Sequence, residues 1–433
     1  MKSKSKFYTA LVLFGLIGQV AWVVENMYLN VFIYQVFRAS ASDISLMVAA
    51  SAVCATVTTI LIGALSDRIG RRKAIIVGGY LLWGVSILGF ALITPSTLGA
   101  LFPALGGAAV SALGVTLVIL LDCLMTFFGS SANDAAFNAW LTDATEEGGR
   151  GRVEGINAMM PLVAILVVFG GFMSFDLSKE GSWRVIFTII GAAVLITAVI
   201  GIFTMEETKK TSGEKESYLA EIAYGFRPSV MKKNGTLYAV LLCFAVFNIS
   251  IQIFMPYLIL YYSESLKMAN YVLIMAPAIL LASVFTFFYG RIYDRIGFFT
   301  ASYISLALLL SGYAVLFLFK ATALVFIGSL LMMCGYLAGM AVFGAAIRDK
   351  TPVGMAGRFQ GLRIVGQVLI PGVIGPAIGA AVLKNAELVQ NNDGTTSFLP
   401  NENIFLAAAV AAAIALALII LIKKLYKSHS CVK

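Results

Sequence analysis

Two acidic residues stand where an apolar sequence should carry none. Glu25 lies near the middle of the apolar stretch 8–37, and Asp122 near the middle of 108–141. A charge at the centre of a bilayer costs about 2.5–3.5 kcal/mol on insertion scales, so each is expected to face a cavity or a partner. Held away from bulk water, a carboxylate can exchange a proton, coordinate sodium or accept from hydroxyl groups. From Asp122, the residues Thr126, Gly129 and Asn133 recur at helical spacing and predict one polar stripe. Asp134 should point about 120° away and meet Asn138 one turn on. Trp22 and Asn26 flank Glu25 in sequence. In the second half, Asn248 and Gln252 stand one turn apart, as do Arg363 and Gln367. Both pairs suit a hydroxyl-rich or otherwise polar ligand. Tyr28, Tyr34, Tyr257, Tyr261 and Tyr262 offer further stacking faces, or else serve packing and an interfacial belt. Asp134 and Arg363 are open to two readings, a permanent ion pair or a gate.

The elements that must hold these residues are membrane helices. Hydrophobic residues make up 60% of the chain, charged ones 12%, and the mean hydropathy is +0.92, far from a soluble domain's balance. Runs of eighteen or more apolar residues recur from end to end, long enough to cross a hydrocarbon core of about 30 Å. In lipid the backbone must satisfy its own hydrogen bonds, which such runs do as helices. Twelve spans are expected, at roughly 8–37, 44–66, 74–94, 108–141, 153–175, 184–204, 237–263, 268–290, 298–319, 321–347, 359–383 and 403–425. The first follows three lysines but is too long for a signal peptide and lacks a small-x-small cleavage site.

With the N-terminus inside, only Arg38, Lys179, Arg184, Lys267, Lys320 and Lys384 of the 31 Lys and Arg fall outside. That bias places both termini in the cytoplasm. The net charge of +9 then follows the inner face and anionic lipid, and nothing points to nucleic acid. The polar stretch 206–235 reads as the central cytoplasmic loop, and 385–402 as the one sizeable outer loop. The five cysteines have no paired spacing, so neither a metal site nor a disulfide frame is expected. His429 reads as a solvated tail residue. No phosphate-cradling motif, cofactor motif or enzyme motif is present.

The chain also repeats itself. GALSDRIGRRK at 63–73 returns as GRIYDRIGF at 290–298, matching Gly63, Asp67, Arg68 and Gly70 with Gly290, Asp294, Arg295 and Gly297 at an offset of 227. A second echo, at an offset of 206, matches Asp143, Thr145, Gly151, Arg152 and Gly155 with Asp349, Thr351, Gly357, Arg358 and Gly361. Two echoes at nearly one spacing mean a duplicated unit of about six helices, as many secondary transporters are built. The domains are accordingly 1–205, a central loop 206–236, and 237–433.

GALSDRIGRRK resembles the loop 2–3 signature of the major facilitator superfamily, and the second copy sits where that superfamily repeats it. DATEEGGRGRVEG after the fourth span looks like the branch of glycoside–pentoside–hexuronide:cation symporters and sucrose/proton symporters. The resemblance implies an all-α fold of twelve transmembrane helices in two pseudo-symmetric six-helix bundles, a central solute cavity and alternating access. It also implies that the signature loops gate the cytoplasmic side through Gly63, Asp67, Arg68, Gly70 and Arg71, with Asp143, Arg152, Asp294, Arg295, Asp349 and Arg358. A carboxylate at Asp67 or Asp294 can accept from the free N–H groups of a helix N-terminus. Arg71, Arg72 and Lys73 serve either that gate or topology alone. One departure stands out: the second span has hydroxyls but no carboxylate, unlike sodium-coupled melibiose-type carriers. That leaves Glu25, Asp122 or Asp134 to bind a proton or sodium. The expected function is cation-coupled movement of a small polar solute, a sugar or glycoside, across the plasma membrane. The alternatives are proton-driven efflux of amphipathic compounds and a non-transporting sensor on the same fold.

Overall fold

The computed structural model describes residues 2–145, 150–207, 223–268, 270–352, 356–391 and 395–430. The chain divides into two compact units, Met1–Tyr218 with Gln390–Ser397, and Leu219–Val389 with Phe398–Lys433. Twelve membrane helices are shared between them.

In the first unit, α1 is Ser5–Phe37, α2 Ala41–Ile69, α3 Arg72–Phe90, α4 Gly107–Ala144, α5 Arg150–Phe172 and α6 Glu180–Thr204. Ser40 and Asp43 form a capping box that fixes the start of α2. Small residues set the spacing of α3 and α6. A Cβ on Gly84 would lie 3.0 Å from the Gly191 carbonyl oxygen, and the reverse distance is the same, so the two backbones pass in contact. At the turn between α5 and α6, Asp176 is exposed, and donors from Ser178 and the neighbouring Lys179 hold its carboxyl below the usual range.

In the second unit, α7 is Gly235–Ser265, α10 Thr322–Lys350, α11 Gly361–Asn385 and α12 Asn403–Ser430. The helices α8 and α9 run together as Val272–Leu318 and are separated by Gly297, with φ 73° and ψ 172°. Two expected spans thus meet at one residue rather than across a loop. Phe254, Tyr313 and Phe405 pack at the centre of this unit, with ring centroids 5.5 Å and 5.7 Å apart for Phe254 with each partner. The stretch expected as a plain outer loop folds back as a hairpin, Leu388–Gln390 paired with Thr396–Phe398.

Among the described residues, four membrane helices are interrupted by π turns. The hydrogen-bond pattern widens to π turns at Val24–Tyr28 in α1, Ser130–Phe137 in α4, Tyr261–Ser265 in α7 and Val365–Leu369 in α11. Such turns insert a residue into the helix and re-aim the side chains beyond it. Glu25, Asn26, Asn133, Asp134 and Gln367 all fall inside them.

Candidate functional site

Glu25 sits in the π turn of α1 with only 8% of its surface exposed. Its Oε1 accepts from Ser51 Oγ of α2 at 2.5 Å and from Thr126 Oγ1 of α4 at 2.9 Å. Those two hydroxyls are themselves 2.9 Å apart. Oε2 is buried without a partner, and so is Oδ1 of Asp122, which lies close enough to Glu25 for their charges to interact. Among the described residues no basic side chain pairs with either. Beside Glu25 is a small cavity walled by Ala21, Val24, Ile87, Phe90, Met125 and Ile190, in which Glu25 is the only polar lining group.

Asp134 accepts from Ser130 one turn back, whose Oγ donates to its Oδ2 at 3.0 Å, and Asn133 and Trp22 lie beside it. Asn138 does reach Asp134, but through the backbone, its Nδ2 donating to the Asp134 carbonyl at 3.1 Å. Asn133 leaves the expected stripe for Tyr80, whose hydroxyl lies 3.0 Å from Asn133 Oδ1 and donates to the Phe14 carbonyl at 2.8 Å. Gly18 makes room for that contact, because a Cβ there would lie 2.6 Å from the Tyr80 hydroxyl. Gly129, placed in the same stripe, instead faces the Trp22 and Trp83 rings, whose centroids are 5.0 Å apart. Asn26 is exposed and donates to the Trp22 carbonyl at 2.8 Å.

In the second unit the polar candidates are bound up locally. Asn248 Nδ2 donates to the Phe244 carbonyl at 2.8 Å, and Arg363 Nε to Gln367 Oε1 at 3.3 Å. Gln252 packs tightly on α11, since a Cβ on Gly375 would lie 2.5 Å from its Cβ. Tyr257, Tyr261 and Tyr262 are buried, the last with its hydroxyl 2.7 Å from Ser329 Oγ.

The two sequence echoes meet each other inside each unit. In the first, Arg72 Nε, just after the signature's Gly70, lies 2.8 Å from Asp143 Oδ2 at the end of α4. Lys73 ties the same corner to α6, its Nζ donating to the Ile202 carbonyl at 2.8 Å and its N–H to Glu207 Oε1 at 3.1 Å. In the second unit the Tyr293 hydroxyl donates to Asp349 Oδ2 at 3.0 Å. Asp143 and Asp349 are counterparts in the repeat, so each unit joins its signature turn to the end of its fourth helix. Gly70 and Gly297 both have positive φ, 68° and 73°, which is why the DRIG turn ends in glycine in both copies. Gly63 is half-buried within α2, while Arg68, Arg71, Asp294 and Arg295 are exposed. The side chains of Asp67, Arg152 and Arg358 lie outside the described residues.

The sequence reading passed over Ser51, Ser130, Tyr80 and the pairing of Arg72. Ser130 and Asp134 do carry a signal, a four-residue spacing on an apolar helix. Ser51 had none beyond its hydroxyl.

A family model described as Major Facilitator Superfamily matches residues 10–376. Among solved structures, the chain is similar to the nucleoside transporter NupG at 12% identity and TM-score 0.68, covering 97% of this chain and 98% of that one. A bacterial homolog of the human lysosomal transporter Spinster, inward-facing and occupied, shows 15% identity and TM-score 0.69 over 96% and 97% of the two chains. A D-xylose-proton symporter shows 15% identity and TM-score 0.70 over 95% and 96%. No curated protein matches the chain in sequence.

Proposed function

The chain belongs to the major facilitator superfamily, a non-enzymatic transporter family, and on that premise we propose that it moves a small polar solute, a sugar or glycoside, by cation-coupled alternating access. Branch membership with the glycoside–pentoside–hexuronide:cation or sucrose/proton symporters is part of this proposal. The observation that supports coupling is the first unit's set of buried carboxylates. Glu25 and Asp122 each keep an oxygen without a partner, and a carboxylate held so in a membrane is poised for a proton or sodium. Glu25 and Asp122 carry the cation, with Trp22, Asn26, Asn133 and Asp134 around them. Asn248, Gln252, Arg363 and Gln367 meet the solute. Gly63, Asp67, Arg68, Gly70, Arg71, Asp143 and Arg152, with Asp294, Arg295, Asp349 and Arg358, form the inner gate. The setting is the plasma membrane with both termini cytoplasmic.

Purified protein in liposomes, offered D-xylose, a disaccharide and uridine in turn under an imposed pH or sodium gradient, tests the reading. Accumulation of one of these under one gradient is the expected result, and failure of all of them under both gradients would count against it. The apolar walls of the cavity beside Glu25 favour a second reading, efflux of amphipathic compounds. It predicts no sugar uptake but extrusion of a lipophilic dye when the interior is made alkaline.

A further inference from the structure

Just ahead of α7 lies a short structured segment, 223–234. It consists of one 3-10 turn, Tyr224–Phe226, and a short helix, Pro228–Lys233. Pro228 occupies the first turn of that helix, and Asn234 closes it, its Nδ2 donating to the Val230 carbonyl at 3.0 Å. The segment is fastened to the second unit. The Tyr238 hydroxyl of α7 donates to the Gly225 carbonyl. The Tyr224 ring meets Phe359, two residues ahead of α11, with centroids 5.9 Å apart, and Val230 is only 8% exposed. Tyr238 is the fourth residue of α7, about 4.5 Å along the axis from the first. The segment is therefore held at the level where α7 enters the membrane, not out in the water. Its outward side carries two exposed apolar residues, Phe226 and Met231, beside exposed Arg227, Lys232 and Lys233. No acidic residue occurs between Glu221 and Glu264. Among the described residues no carboxylate forms an ion pair with Lys232 or Lys233.

We propose that 223–234 is a docking surface for anionic phospholipid. Phe226 and Met231 enter the boundary between headgroups and acyl chains, as the apolar side of an interfacial segment does. Lys232 and Lys233 meet the lipid phosphates. A lysine can lay its stem along apolar surface while its ammonium reaches outward, so both kinds of contact form in one place. Arg227 adds charge but is drawn toward its own neighbour, its guanidinium carbon lying 5.8 Å from the centre of the Tyr224 ring. The two lysines therefore carry the recognition. A neutral lipid would cover Phe226 and Met231 yet leave the ammonium groups without a counter-charge. An anionic one supplies both, because a negative leaflet attracts basic residues within a Debye length of its surface. Through Tyr238 and Phe359 the bound lipid holds the starts of α7 and α11 at the membrane boundary. The proposal needs only the membrane-spanning fold and holds whichever solute or cation the protein carries.

A fluorophore on Met231→Cys, in the full chain freed of its other cysteines, tests this in lipid vesicles. The vesicles are phosphatidylcholine alone or with one third phosphatidylglycerol, alike in both leaflets so that the protein's orientation does not matter. Acyl chains brominated near the glycerol quench a fluorophore that sits at the headgroup boundary. Phosphatidylglycerol should deepen the quenching and shift emission to the blue, and about 1 M salt, where the Debye length is about 3 Å, should reverse both. Lys232→Gln and Lys233→Gln should each lower the ratio of inserted to free segment by about fivefold. Lys232→Arg and Lys233→Arg should retain it. Equal quenching with and without phosphatidylglycerol would overturn the proposal, as would full quenching in the double glutamine variant. Recovery of fluorescence when sodium phosphate replaces chloride at constant ionic strength would give the lysines to a soluble anion, and would overturn it too. The readout needs no solute, so failure of the liposome uptake screen would refute the transport reading and leave this surface standing.

Discussion

Arg72 places a charge that is 5% exposed against an Asp143 carboxylate that is 27% exposed. Its cost of burial is met by the partner's charge and by the geometry of the 2.8 Å contact. Exposed pairs are worth about 0–1 kcal/mol, and breaking a fully buried one costs about 3–5 kcal/mol. The Arg72 pair lies between these cases. Asp143→Asn should therefore lower stability by about 1–3 kcal/mol, read as a fall in the thermal unfolding midpoint of the detergent-solubilised protein. An unchanged midpoint would mean the pair is only a topology signal. Glycine at the signature turns makes a sharper comparison. Gly70, at φ 68° and ψ 10°, is left-handed helical, which costs other residues about 1–2 kcal/mol. Gly297, at φ 73° and ψ 172°, occupies a region that is essentially glycine's alone, with strain of about 1–3 kcal/mol. A Cβ at either position meets nothing within 4 Å, so backbone strain is isolated from crowding. Gly297→Ala should thus cost at least as much as Gly70→Ala; the opposite order would show that the second turn relaxes.

At the scale of elements, hydropathy was enough to place the helices. The expected spans and the observed helices coincide to within a few residues, because only unbroken apolar runs satisfy a backbone in lipid. What could not be read were departures from the α-helix. Val24–Tyr28 and Ser130–Phe137 contain no proline, so no residue in them marks the widening. The break at Gly297 was legible as a repeat of Gly70, though not as a single residue joining two helices. The hairpin at 388–398 was missed because a three-residue strand is too short for any alternation to register.

Across the whole molecule the two halves repeat their helices but not their chemistry. Applying the chain's own offsets, Glu25 corresponds to Gln252, Asp122 to Gly328 and Asp134 to Met340. These three mid-span carboxylates all lie in the first unit, while the second answers with an amide, a glycine and a methionine. A pseudo-symmetric carrier needs its cation site only once, and neutral amides suit a solute whose hydroxyls both donate and accept. The orientation that frames this is tested simply. In a cysteine-free background, a cysteine at Lys384 should react with an impermeant reagent added to intact cells, and one at Lys232 should not; the reverse would invert the topology. The division of labour predicts two distinct phenotypes, read on whichever solute the liposome screen identifies. Asp122→Asn should abolish accumulation driven by the gradient while solute exchange across equilibrated membranes continues, since exchange needs no net proton movement. Gln252→Ala and Gln367→Ala should instead raise the solute concentration for half-maximal uptake by about tenfold, the value of one lost hydrogen bond near 1.4 kcal/mol. Their ratio of protons to solute should stay that of the wild type. A Gln252→Ala protein that exchanges normally but cannot accumulate would place coupling in the second unit. An Asp122→Asn protein that loses only affinity would make that carboxylate a solute contact, and either result would dissolve the assignment of cation to one half and solute to the other.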